Sequence, residues 1–348
     1  MRLNNMKIST IEEIGESQWD DYVNHHDQAG VYHLSAWKNV LASVFNSRCY
    51  YLAAVSEAGD VCGVLPLVHF KNRLFGNFMV SMPYFNHGGV LSSNSEAEEA
   101  LLRHAIKLGG SLGASHMELR EFSARENGWQ YKDEKVLMLL ELPDDPDLLS
   151  KSIGAKRRSQ IKRPEREGAS TKVGGGDLLD DFYAVFSRNM RDLGTPVYTK
   201  KIFENILEAR PKDTFVVVIY LDDLPVAAAF LVGYKQIIEI PWASSIREYN
   251  RLGINMKLYW EVLRYSILQG YKIFDFGRST VDGPTYKFKK QWGARPKQCF
   301  WNYWLAEGSE LPQLNPQNPK YKIAIEGWKK LPLVVANSLG PHIVKHLP

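Results

Sequence analysis

TFVVVIYLDDLPVAAAFLVGYKQIIEIPWASS, residues 214–245, reads as three strands in succession. Val, Ile, Phe and Tyr fill it as they fill a buried sheet, and two short polar breaks divide it, Asp222-Asp223 and Tyr234-Lys235-Gln236. Such runs and breaks mark consecutive hairpins. The period then changes. In INMKLYWEVLRYSILQG, residues 254–270, Ile254, Leu258, Val262 and Tyr265 share one helical face, and Gly270 stops the helix. YKIFDF, residues 271–276, is the next strand. Upstream, LLDDFYAVFSRNMRDLG and KKIFENILEAR read as helices.

The first half follows the same plan. Residues 17–45 are expected to be helical, with Ser17 and Ser35 as N-caps. YYLAAVSEAGDVCGVLPLVHFK is a hairpin about Ala58-Gly59-Asp60, NFMVSM a third strand, and EAEEALLRHAIKLGGSLGASHMELR a helix, a glycine-rich exit and a strand. The two halves share a pattern and not a sequence. With 348 residues, two domains are the expectation. Prolines and aspartates in LPDDPDLLS place the boundary at 145/146, giving domains 1–145 and 146–348, two related mixed α/β modules.

Bulk chemistry excludes several classes. The 45% hydrophobic and 24% charged composition is that of a globular chain. A net charge of +4 is too small for a chain-wide nucleic-acid coating, and no DNA partner is expected. Three cysteines with no metal or CxxC spacing fit a reducing compartment. The N-terminus lacks the apolar core of a signal peptide, and no apolar run reaches the ~20 residues that span a bilayer. The expected location is cytoplasmic, with peripheral contact at the inner membrane. His25-His26 lacks a third ligand, so no metal site is expected.

The chemistry concentrates in FDFGRSTVDGPTYKFKKQWGA, residues 274–294. Alternation puts Asp275 on the face opposite Phe274 and Phe276, so this carboxylate needs a partner. It is either the acid of a structural salt bridge or a group that orients or deprotonates substrate. Gly277 lets a ligand approach. TYKFKKQWGA has period-two character, with Tyr286, Phe288 and Lys290 on one side and Lys287 and Lys289 on the other. It reads as a solvated basic edge strand or an anion site, with Trp292 as a groove wall. SKSIGAKRRSQIKRPEREG, residues 150–168, gathers a second set of basic residues on a helix expected to stop near Arg163, because Pro164 follows. It is either a solvated face or a source of phosphate contacts. NRLGIN, residues 250–255, precedes a helix where an anion-cradling loop sits. The tail EGWKKLPLVVANSLGPHIVKHLP mixes apolar residues, lysines and Trp328, and reads as a capping helix or an interfacial one.

FDFG followed by YKFKKQWG resembles the C-terminal half of the FemA/FemB-type transferases, within the wider group with the GCN5-related acetyltransferase (GNAT) fold. WDDYV, VYHLSAWKNVL and GVLPLVHFKNRLFGNFMVSMPYFNHGGVL resemble the first half of FemA/FemB-related proteins, especially a subgroup linked to exopolysaccharide and exosortase systems. The resemblance covers roughly residues 15–305. It implies two tandem GNAT-like modules, each a mixed, mostly antiparallel sheet flanked by helices. It implies transfer of an acyl or aminoacyl group from aminoacyl-tRNA or acyl-CoA to an amine-bearing envelope precursor, as in peptidoglycan or exopolysaccharide biogenesis. Asp275 and Lys289 are then the catalytic candidates. Arg278, Lys287, Trp242, Tyr249, Asn250, Gly253, Asn255, Tyr286 and Trp292 are the substrate-binding candidates. Coenzyme-A-dependent members carry a small residue where this chain has Asn255, which points away from coenzyme A, and some tRNA-using members carry a coiled-coil insertion that this sequence lacks, which points away from tRNA. The alternative is a non-catalytic module that binds a polysaccharide or a protein of envelope assembly.

Overall fold

The computed structural model describes residues 6–72, 75–126, 128–312 and 319–346. In chain order its strands are β1 (Lys7–Thr10), β2 (Arg48–Val55), β3 (Val61–Asn72), β4 (Gly76–Val80), β5 (Leu91–Ser92), β6 (His116–Glu121), β7 (Gln130–Lys132), β8 (Lys135–Glu141), β9 (Ser170–Gly174), β10 (Thr214–Leu221), β11 (Leu224–Tyr234), β12 (Ile237–Ser245), β13 (Ile273–Thr280), β14 (Arg295–Gln298) and β15 (Phe300–Leu305). The helices are α1 (Ile11–Ile14), α2 (Glu16–His25), α3 (Ala36–Phe45), α4 (Ser95–Ser111), α5 (Pro146–Ser152), α6 (Gly154–Arg166), α7 (Leu179–Leu193), α8 (Lys200–Ala209), α9 (Ile254–Leu268), α10 (Pro284–Lys290), α11 (Pro319–Lys329) and α12 (Leu333–Val344).

The chain divides into two compact units, residues 1–135 with 298–313 and 346–348, and residues 136–297 with 314–345. The sequence reading put a single boundary at 145/146. LPDDPDLLS lies wholly within the second unit, where Pro146 opens α5 and Asp145 accepts from the Asp147 amide at 2.8 Å. The chain leaves the first unit ten residues earlier, inside a strand with no glycine or proline to mark it. It returns as β15, which pairs with β6 and β7.

The first unit has sheet order β1-β2-β3-β4-β6-β15-β7, with β5 on β3. Antiparallel pairs dominate, and β4 runs parallel to β6. Leu101 and Ala105 of α4 pack on Leu52, Leu65 and Met117 of the sheet. The second unit has order β14-β8-β13-β12-β11-β10-β9. Here β9 to β12 form antiparallel pairs and β12 runs parallel to β13. Asp222, Asp223 and Lys235 take positive φ at the two turns, as tight hairpins require. On one face Leu258, Val262 and Ile267 of α9 meet Ile238, Ile240, Phe274 and Phe276. On α7 and α8, Phe182, Phe186 and Phe203 meet Phe230 and Trp242 of the sheet.

Two local expectations change. α2 starts at Glu16 with Gly15 before it, so Ser17 lies inside the helix. α6 continues to Arg166 through Pro164. A proline in a last turn costs one hydrogen bond and crowds the carbonyl four residues back, here that of Gln160. That carbonyl is turned toward Gly253, where an added Cβ would lie 2.8 Å from it.

Candidate functional site

Two irregularities open the second sheet. β12 and β13 pair at Ile237↔Ile273, Ile238↔Phe274 and Glu239↔Asp275, and there the ladder ends. On β12, Val232 faces Glu239 and Phe230 faces Trp242, so Ile240 and Pro241 share one partner on β11. A proline in a central strand has no N–H to give, and a bulge is the usual accommodation. On β13, Gly277 sits at φ 76°, outside strand geometry and open to glycine without strain. The parallel strands therefore part just beyond a carboxylate.

Asp275 is 3% exposed. Its Oδ1 accepts from the Gly277 amide at 2.7 Å. Burial pushes the carboxyl up to about 6, against the pull of that hydrogen bond and of the Lys289 and Lys297 charges. Lys289 comes from α10 and is 7% exposed. Its Nζ donates to the carbonyls of Gly277 at 3.0 Å and Arg278 at 2.8 Å. These carbonyls lie on the stretch of β13 that β12 no longer pairs, so the ammonium stands in for the missing strand. Burial lowers Lys289 to about 8, with the Arg278 charge adding and Asp275 opposing. Two of the three N–H bonds of Lys289 are thus committed to backbone carbonyls. Asp275 and Lys289 act on each other through space, without a direct ion pair among the described contacts.

The structure thus brings Asp275, Lys289 and Arg278 together. It adds two residues the sequence reading missed. Glu239 is buried and stands opposite Asp275 in the register. Lys297, on β14, is near enough to stabilise the Asp275 charge. IIEIP offered the same signal as IFDFG, a carboxylate inside an apolar strand. Lys297 carried no signal, because only the sheet order brings β14 near.

TYKFKKQWGA is not a strand. Gly283 is extended, Pro284 occupies the first helical turn, and α10 follows. Helical period then regroups the side chains: Tyr286 and Lys289 are buried together while Lys287 and Lys290 face solvent, Lys290 lying over the Tyr286 ring. Trp292 is 1% exposed in the core beside Phe288 and Tyr259, and is no groove wall. Tyr286 belongs to the same core.

The remaining candidates lie elsewhere on this unit. Trp242 packs edge-on to Phe203 and Phe230 on the α7 and α8 side. Tyr249 is half-buried against the α9 core, and Asn250 is exposed and accepts from Ser245 Oγ at 2.9 Å. Gly253 takes φ 86° ahead of α9, and Asn255 is half-buried in the first turn of that helix. α6 lies against this loop, tied to α9 by Lys257, which donates to Glu165 at 2.6 Å and Glu261 at 2.9 Å. On α6 Lys156, Lys162, Arg163 and Arg166 are exposed, while Arg157 and Arg158 donate to the carbonyls of Ile153 and Ser150.

Comparison with known proteins bears on the fold. Residues 155–290, from α6 through α10, match the family described as an acetyltransferase (GNAT) domain. No curated protein matches the chain. Among solved structures the chain is similar to FemX, with a TM-score of 0.67 and 16% identity over 85% of this chain and 97% of that one. It is similar to a tandem GNAT protein of the clavulanic acid biosynthesis pathway, with a TM-score of 0.57 and 13% identity over 88% of this chain and 100% of that one. It is also similar to the C-terminal domain of a protein described as a lysylphosphatidylglycerol synthetase from Agrobacterium fabrum, with a TM-score of 0.57 and 16% identity over 85% and 92% of the two chains. At these identities the likeness is one of fold. The chain has a tandem GNAT-like fold, each sheet mixed and flanked by helices, and the match to the GNAT domain model falls within its second unit.

Proposed function

We propose that the second unit of this tandem GNAT-fold chain transfers an acyl or aminoacyl group from an activated donor to an amine acceptor of cell-envelope biogenesis. One observation carries the reading: a buried carboxylate and a buried ammonium meet where β12 and β13 part, and no ion pair between them cancels either charge.

The amine nitrogen attacks the ester or thioester carbonyl carbon. The C–N bond forms and the carbonyl π pair moves onto oxygen. The remaining N–H of Lys289, with Arg278 beside it, faces that oxyanion, a contribution of about 3–4 kcal/mol in comparable sites. The proton leaving the nitrogen passes to the Asp275 carboxylate, whose pKa near 6 suits a base at neutral pH. Collapse breaks the bond to the ester oxygen or thioester sulfur, which takes a proton from Lys289 or water.

The donor bears phosphate, and the exposed basic residues of α6 lie beside the loop before α9. The Gln160 carbonyl sits against Gly253 just ahead of α9, and Asn255 stands in the first turn of that helix where coenzyme-A-dependent relatives carry a small residue. This favours aminoacyl-tRNA or another activated acyl donor over coenzyme A. Assignment to the exopolysaccharide- and exosortase-linked subgroup rests on the N-terminal sequence resemblance alone.

Purified chain incubated with isotope-labelled aminoacyl-tRNA or acyl-CoA and an amine-bearing envelope precursor should yield an amide product by mass spectrometry. Asp275→Asn should lower kcat by about 10²–10⁴-fold with the acceptor still bound. Full transfer by that variant would remove Asp275 from the chemistry. Acceptor binding by the wild type, with no transfer from either donor, would favour the non-catalytic binding module.

A further inference from the structure

α12 buries one side and leaves the other bare. Ala336, Gly340 and Val344 pack into the second unit, Gly340 so closely that an added Cβ would lie 2.7 Å from the Val197 backbone nitrogen. Val334, Val335, Ser338, Leu339, His342 and Ile343 are exposed. Val335, Leu339 and Ile343 recur every four residues and form a stripe along the helix, and Val334 beside it is 81% exposed. An apolar face of this extent on the outside of a helix marks a contact surface.

Charge identifies what it contacts. The exposed face of α12 carries no formal charge apart from His342. Lys329 and Lys330 are exposed just before it and Lys345 follows it. Glu326 is the sole acid between residues 323 and 346, and it is held by Lys329 at 2.6 Å. An uncharged apolar strip with lysines at both ends is the pattern of a helix lying in the interface of an anionic bilayer. A second copy fits it poorly. A two-fold contact would set the helices either parallel or antiparallel, and either way would bring lysines of one chain against lysines of the other. No helix among the described residues is long and apolar enough to cross a membrane, so the contact is peripheral.

We infer that the exposed face of α12 docks the second unit on the surface of an anionic phospholipid bilayer, with Val334, Val335, Leu339 and Ile343 entering the headgroup region and Lys329 and Lys330 meeting the lipid phosphates. This surface is independent of the chemistry at Asp275, and its test needs no turnover.

The full chain is sedimented with vesicles of phosphatidylcholine alone and of phosphatidylcholine with phosphatidylglycerol. Partitioning to the anionic vesicles should be at least about tenfold stronger and should fall as salt rises. Val334→Asp with Leu339→Asp should abolish it, with the melting temperature unchanged because both side chains are exposed. Lys329→Gln with Lys330→Gln should reduce it by about tenfold or more while leaving the apolar face intact. Equal pelleting of wild type and the double aspartate variant overturns the assignment. So does a wild-type dimer that the aspartate pair dissociates, with no vesicle binding by either protein, since the occupant is then a second copy.

Discussion

Each unit has a parallel strand pair that ends on a buried carboxylate, and the two ends are filled differently. In the first unit β4 and β6 pair at Met79↔Met117 and Val80↔Glu118. Two residues past Glu118 stands Arg120, whose Nε donates to Glu118 at 2.7 Å and whose Nη1 donates to the Phe85 carbonyl at 2.8 Å. The Tyr303 hydroxyl donates to the other Glu118 oxygen at 2.7 Å, and the guanidinium lies over the Trp301 ring. Burial and the Glu118 charge hold the Tyr303 phenol far above its usual range. Two residues past Asp275 in the second unit stands Gly277, which offers an amide in place of a guanidinium. The same topological opening is closed by a direct ion pair in one unit and holds a carboxylate and an ammonium that bond to backbone instead in the other. A filled opening serves stability; the other costs stability, and the proposed function gives that cost a use.

The largest effect that tests this contrast is on the first unit. Arg120→Met leaves Glu118 buried without its cation and should cost about 3–5 kcal/mol in denaturant unfolding. A loss under 1 kcal/mol would mean that Glu118 is not held by Arg120, and the contrast would fail.

The second effect is on the pH dependence of stability. The Asp275 carboxyl is raised to about 6 in the fold, so its stabilising contribution is complete below the ordinary carboxylate range and is lost as pH rises through 6. Lys289 is lowered to about 8, so stability returns as pH rises from 8 toward the ordinary lysine range. Asp275→Asn should flatten the fall between pH 4 and 6, a difference of up to about 3 kcal/mol. Parallel wild-type and variant curves in chemical denaturation across that window would show that Asp275 ionises as freely in the fold as in the unfolded chain.

The smallest effect is at the loop before α9. Gly253→Ala strains a φ of 86° and meets the Gln160 carbonyl, and should cost about 1–2 kcal/mol. It should also weaken donor binding if α6 and this loop form one surface. An unchanged donor Kd alongside the stability loss would separate α6 from the site.

Much of the fold was legible in the residues. Three strands in 214–245, the helix from Ile254, its stop at Gly270 and the paired plan of the two halves follow from period and turn chemistry. Asp275 was legible because an acid between two phenylalanines has to be accounted for. The helical TYKFKKQ was not, since its alternation of aromatic and lysine mimics a strand, and Pro284, which opens the helix, fits a turn equally well. Glu239 was overlooked although IIEIP carries the same signal as IFDFG.

Local order is written in residues within a turn or two of each other, and the sequence alone determined it: where most strands and helices lie, and which carboxylate is embedded in apolar surroundings with Gly277 after it. Tertiary structure decided what those elements bring together. Only the pairing of β12 with β13 puts Glu239 opposite Asp275, only the docking of α10 brings Lys289 to the open carbonyls, and only the return of β15 gives Glu118 its tyrosine. Those contacts join residues far apart in the chain, and the burial that shifts Asp275 and Lys289 exists only after they form.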